Sequence, residues 1–144
     1  MKELGVILVV EDDARDIELL KASLRPTGLE DRLFIVRDGE SALNYLRRQG
    51  EFDSRSGANP VVVLLDIKMP KIGGIEVLSE IKSDQMLQGV PVVILTSSRQ
   101  PSDLKTCYGL GVNAYVVKPM KFNEYVSAIQ SVGEFWGRIN EPTS

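Results

Sequence analysis

Val61-Val62-Val63-Leu64-Leu65-Asp66 is a run of five aliphatic residues stopped by a carboxylate. A run this short and this apolar suits a β-strand covered on both faces, as in a parallel sheet. The same construction recurs along the chain. Val6-Ile7-Leu8-Val9-Val10 ends in Glu11-Asp12-Asp13, Val92-Val93-Ile94-Leu95 ends in Thr96, and Tyr115-Val116-Val117 ends in Lys118. Strands are expected near 5–10, 32–37, 61–65, 91–95 and 113–117.

Helical spacing fills the gaps between these runs. Ile17, Leu20 and Leu24 mark one face of a first helix; Ala42, Leu43 and Leu46 a second; Val77, Leu78 and Ile81 a third. Leu104, Tyr108 and Leu110 fit a weaker fourth, and Phe122, Val126, Ile129 and Val132 a fifth. Asp13 is placed to cap the first helix, and Pro26 with Gly28 to end it. Gly39 should open the second helix and Gly50 close it. Gly73-Gly74 should open the third, while Gly109 and Gly111 close the fourth. Strands alternating with helices imply right-handed crossovers and an α/β doubly wound sheet of five parallel strands with five helices. The polar stretch Gly50–Asn59 reads as a surface loop.

In such a sheet the C-terminal strand ends share one edge, where ligands bind. Carboxylates, a hydroxyl and an amine would then meet at one place, which is the chemistry of a metal-assisted phosphoryl acceptor. Clustered acids raise one another's pKa unless a cation neutralises them. Mg2+, with one or two carboxylates plus waters and phosphate, suits Glu11, Asp12 and Asp66. Thr96 could hydrogen-bond a phosphoryl oxygen and Lys118 supply a point charge to another. Singly, each has a plainer reading: a solvated turn at residues 11–13, a strand-end turn at Thr96, a surface lysine at 118.

Composition narrows the classes. The 144 residues fit one domain (1–144), with a core over about 5–132 and a short tail over 133–144. The net charge of -3 gives no support for nucleic-acid binding. No apolar run approaches the roughly 20 residues of a membrane span. Met1–Gly5 leads straight into the first strand, so no targeting segment is expected. The single cysteine, Cys107, suits a reducing cytoplasm and reads as a helix packing residue. The absence of histidine removes histidine-based triads, most zinc sites and any autophosphorylated histidine.

Taken together, these residues closely resemble the receiver domains of two-component response regulators. Val9-Val10-Glu11-Asp12 resembles the family's acidic pair, and Leu64-Leu65-Asp66-Ile67-Lys68-Met69-Pro70 with Gly74 its phospho-acceptor signature. Leu95-Thr96-Ser97 resembles the switch hydroxyl, and Ala114-Tyr115-Val116-Val117-Lys118-Pro119 the switch aromatic with its Lys-Pro pair. The resemblance implies a flavodoxin-like strand order 2-1-3-4-5. It implies that Asp66 accepts a phosphoryl group from a partner sensor histidine kinase. Asp12, Asp66 and the Lys68 backbone carbonyl would bind Mg2+, with Glu11 helping through water. Lys118 would pair with Asp66 and then with the phosphoryl group. Thr96 would follow, and Tyr115 would turn inward to reshape the face of the fourth helix, fifth strand and fifth helix. A cis Lys118-Pro119 peptide is also expected.

The chain departs from the family at two points. Gly73 stands where an acidic helix cap is common, and Lys68 would shield the acyl phosphate from water. The long 50–59 loop and Phe135-Trp136 resemble stand-alone regulators that partner phytochrome-type kinases, so a bacteriophytochrome is one expected partner. Phe135 and Trp136 would either cover the end of the sheet or form a homodimer contact. A histidine phosphotransfer protein is a further expected partner. An aspartyl-nucleophile phosphatase is the alternative, but such enzymes carry a second acid where Lys68 stands. A flavin or nucleotide carrier would want a phosphate-cradling loop where Glu11-Asp12-Asp13 lies. The expectation is therefore a switch, not an enzyme acting on outside substrates.

Overall fold

The structure, a computed structural model, describes residues 5–143; the expectations for Met1–Leu4 lie outside them. The strands are β1 (Ile7–Val10), β2 (Leu33–Val36), β3 (Val62–Leu65), β4 (Val92–Thr96) and β5 (Ala114–Val117). The helices are α1 (Ala14–Leu24), α2 (Gly39–Arg47), α3 (Gly74–Ser83), α4 (Pro101–Gly109) and α5 (Phe122–Glu134). The five strands form one parallel sheet in the order β2-β1-β3-β4-β5.

Strand side chains alternate between faces, and here both faces are covered. Leu8, Val10, Val63, Leu65, Val92 and Ile94 enter a core shared with α2, α3 and Cys107 of α4. Ile7, Val9, Val62, Leu64, Val93 and Leu95 enter the opposite core under α1 and α5. That is why β1, β3 and β4 read as unbroken apolar runs: every residue of each is buried.

Asp13 caps α1 as expected, its Oδ1 accepting the N–H groups of Arg15 at 2.8 Å and Asp16 at 3.1 Å. The α3 N-terminus at Gly73 has no side-chain cap. Four expectations need correction. Gly50 does not end α2; Arg48 does, in a left-handed conformation (φ 57°), and Gly50 opens a separate 3-10 turn. The Arg48 guanidinium then donates to the carbonyls of Arg55 and Gly57. Arg55 in turn lies 4.2 Å from the Tyr45 ring and donates to the Tyr45 carbonyl, so the 50–59 loop is fastened down. The face of α4 is also misplaced: Cys107 is fully buried, while Leu104 and Tyr108 are exposed. On α5, Ile129 is buried and Val132 packs on the core as expected, but Tyr125 and Gly133 complete that face and Phe122 points out. The Lys118-Pro119 peptide is trans, against the expectation.

The chain does not leave the core at 132. A π turn over Phe135–Ile139 prolongs α5, and Arg138 donates to the Thr27 carbonyl at 2.5 Å. Trp136 packs on the α1/α5 core, its ring set edge-on to the exposed Phe135 at 5.0 Å.

Candidate functional site

Parallel register delivers the polar residues to one edge. Ile7 to Val10 pair with Val62 to Leu65, so Glu11 and Asp66 leave the sheet side by side. The Asp66 N–H donates to the Val10 carbonyl at 3.1 Å, continuing the ladder beyond the strands. On the other side, Thr96 pairs with Val117, and the Lys118 N–H donates to the Thr96 carbonyl at 2.7 Å.

Lys118 is the hub. Its ammonium, 9% exposed, donates to Glu11 Oε1 at 2.7 Å, Asp16 Oδ2 at 2.8 Å and Asp66 Oδ2 at 3.2 Å. Burial lowers the Lys118 pKa, but the hydrogen bonds to Asp16 and Glu11 and the Asp66 charge outweigh it, so the net shift is upward. Glu11 is pulled in two directions. Burial among the strands pushes its carboxyl up to about 7 against the opposing pull of Lys118. Its Oε2 also accepts the Asp13 N–H at 3.2 Å.

The carboxylate oxygens of Glu11, Asp16 and Asp66 lie within 4.8 Å of one another. One ammonium does not balance three carboxylates. The excess of clustered oxygen ligands has the chemistry of a hard divalent cation site. Asp12 is half-buried and does not join this cluster; its backbone carbonyl accepts from Arg37 at 2.7 Å. The Lys68 N–H reaches Asp66 Oδ1 only at 3.4 Å. Beneath Asp66 the backbone is tightly packed. A Cβ on Gly74 would collide with the Asp66 carbonyl oxygen and lie 2.7 Å from the Ile67 Cα, so α3 can begin here only with glycine.

Thr96 is fully buried, and its Oγ1 accepts the Ser98 N–H at 3.3 Å. The Tyr115 hydroxyl donates to the Ser98 carbonyl at 3.1 Å, and the Ser98 hydroxyl to Asp103 Oδ2 of α4 at 2.6 Å. Ser98 therefore joins the expected hydroxyl, the expected aromatic and α4. Sequence reasoning singled out neither Ser98 nor Asp16. The signal for Asp16 was available: it stands one helical turn before buried Leu20 on α1, which aims it at the sheet edge.

Comparison with known proteins follows the same lines. The model of the response regulator receiver domain matches residues 7–130. "Probable methanogenesis regulatory protein FilR2" of Methanothrix harundinacea is 39% identical over 131 residues, spanning 91% of this chain and 83% of that protein. The phosphorylated cyanobacterial phytochrome response regulator RcpA superposes with a TM-score of 0.90 at 35% identity, covering 99% of this chain and 100% of that one. The bacteriophytochrome response regulator RtBRR is 50% identical with a TM-score of 0.78, covering 97% of this chain and 84% of that one. This chain belongs to the response regulator receiver domain family.

Proposed function

We propose that Asp66 is reversibly phosphorylated by a sensor histidine kinase and that the charge added there resets the α4–β5–α5 face. The observation that carries this is the buried Lys118 ammonium held 3.2 Å from Asp66 at the edge where the strands end. Phosphoryl transfer needs mainly positioning and charge neutralisation. An Asp66 oxygen forms the bond to phosphorus as the phosphorus–nitrogen bond of a phosphohistidine breaks. The imidazole, protonated at its other ring nitrogen, keeps the electron pair and is released neutral. Lys118 shifts from carboxylates to a phosphoryl oxygen. Thr96, whose oxygen now accepts from Ser98, has its hydroxyl proton to offer another. If Thr96 turns away, the Ser98 backbone loses a partner and the Tyr115 bond to the same residue loosens, which carries the change toward α4.

Mg2+ is the proposed cation, held by Asp12, Asp66 and the Lys68 carbonyl with Glu11 through water, and it would neutralise the incoming phosphoryl oxygens. The clustered oxygens of Glu11 and Asp66 support a cation here, and Asp12 is assigned to it as the chain neighbour of Glu11 rather than as a member of that cluster. The reaction is confined to the chain's own acyl phosphate: Lys68 stands where a phosphatase of this type would carry the carboxylic acid that protonates the leaving group, which disfavours turnover of outside phosphate esters.

The likeness to RcpA and RtBRR favours a phytochrome-type kinase as the partner. The proposal extends to a cytoplasmic setting and to onward transfer to a histidine phosphotransfer protein. The exposed Phe135 and Ile139 favour a homodimer. Incubation with Mg2+ and a small phosphodonor should add one phosphoryl mass, and Asp66→Asn should abolish it. Labelling that survives in Asp66→Asn would place the acceptor elsewhere. Transfer from a phytochrome-type kinase no faster than from unrelated kinases would reject that partner.

A further inference from the structure

Asp16 has no part in the chemistry just described, yet it grips the central cation more closely than the acceptor does. Its Oδ2 lies 2.8 Å from Lys118 Nζ, against 3.2 Å for Asp66. It arrives from α1, outside the row of strand ends that supplies Glu11, Asp66 and Lys118. Its carboxylate is 36% exposed, whereas Glu11 is 7% and Asp66 12% exposed. Of the three acids on Lys118, Asp16 is therefore the one that water can most readily resolvate if the ammonium departs.

Esterification changes the competition among them. A carboxylate at Asp66 carries one negative charge, and an acyl phosphate brings up to about two. The ammonium is then drawn toward the new oxygens, and the bond to Asp16 is the one it can most cheaply give up. We propose that Asp16 is a positioning residue that competes with the acceptor for Lys118, holding the ammonium toward α1 before phosphorylation and so weakening the pocket's hold on the phosphoryl group. This rests on the reading of Asp66 as the phosphoryl acceptor. The α1 cap does not depend on the Asp16 side chain. Asp13 caps α1, and it is the Asp16 backbone N–H that bonds to Asp13 Oδ1.

The experiment is a titration with beryllofluoride, a phosphoryl mimic, at saturating Mg2+. It compares the full chain with its Asp16→Asn and Asp16→Glu variants, with Mg2+ affinity measured separately. Asp16→Asn should bind beryllofluoride about two- to fivefold more tightly, the scale of a partly exposed ion pair. Asp16→Glu should return to the parent value, because a carboxylate is restored. Equal or weaker binding by Asp16→Asn at saturating Mg2+ would overturn the proposal; weaker binding with reduced Mg2+ affinity would make Asp16 a supporter of the metal instead. If the parent chain binds no beryllofluoride, or Asp66→Asn binds it as well, the acceptor reading itself fails, a result separable from any difference among the Asp16 variants.

Discussion

The centre of the sheet and its β5 edge are built to different standards. In β1, β3 and β4 every residue is buried, and each strand is hydrogen-bonded on both sides. At the other extreme, all four residues of β5 are only half-buried, and α4 beside it buries a single side chain, Cys107. The acids and the acceptor hang from the well-packed centre, while Thr96, Tyr115, Ser98 and Asp103 link the loose edge to it. The densest packing lies under the acids and the acceptor, and the lightest packing lies where a change of shape would be read out.

Core truncation should expose that contrast most strongly. Ile94→Ala, in β4 with no exposure, should cost about 2–5 kcal/mol in denaturant unfolding. The same truncation at exposed Leu104 of α4 should stay within about 0.5 kcal/mol. Equal losses at the two sites would mean that the edge is as firmly packed as the centre.

Proton linkage at the centre gives the next largest effect. Burial holds Glu11 near pKa 7 in the folded protein, against an ordinary 4.5. Between those values the folded state binds more protons than the unfolded one, so stability falls as pH rises. In chelator, the thermal midpoint should fall by a few degrees from about pH 5 to about pH 7.5, and Mg2+ should flatten the slope by neutralising the carboxylate. A midpoint that climbs over this range would mean that Lys118 outweighs burial.

The smallest effect tests the join between centre and face. Tyr125 of α5 is buried, and its hydroxyl has no hydrogen-bond partner among the described residues; burial pushes its pKa up. Tyr125→Phe should raise stability by about 1 kcal/mol, since it removes an unsatisfied polar group and keeps the ring. A loss of stability on this change would reveal a partner for the hydroxyl.

The same contrast explains what could be read from sequence. Strands buried on both faces leave an unmistakable apolar run, and the first polar residue after each run marks its exit from the core. Glu11, Asp66, Thr96 and Lys118 were therefore legible together, with the sheet that unites them. The edge was not. On α4 the apolar Leu104 and Tyr108 suggested a face that the structure gives to Cys107, because one covered side leaves little periodic signal. Asp16 escaped because it reaches the pocket from a helix side rather than a strand end. Ser98 escaped because its links to Thr96 and Tyr115 are made by its backbone, which no side-chain pattern encodes. The trans Lys118-Pro119 bond could not be anticipated from the dipeptide, which tolerates either isomer.

The bond from the Lys118 amide to the Thr96 carbonyl has an engineering corollary. The hydroxyl and the amine lie on one side of the acceptor and hang from the ends of adjacent strands in a single ladder. A chimaera that transplants residues 92–118 as one block would carry both groups in their native spacing. A splice falling between them would let each drift with its own host, leaving an intact scaffold and a broken grip.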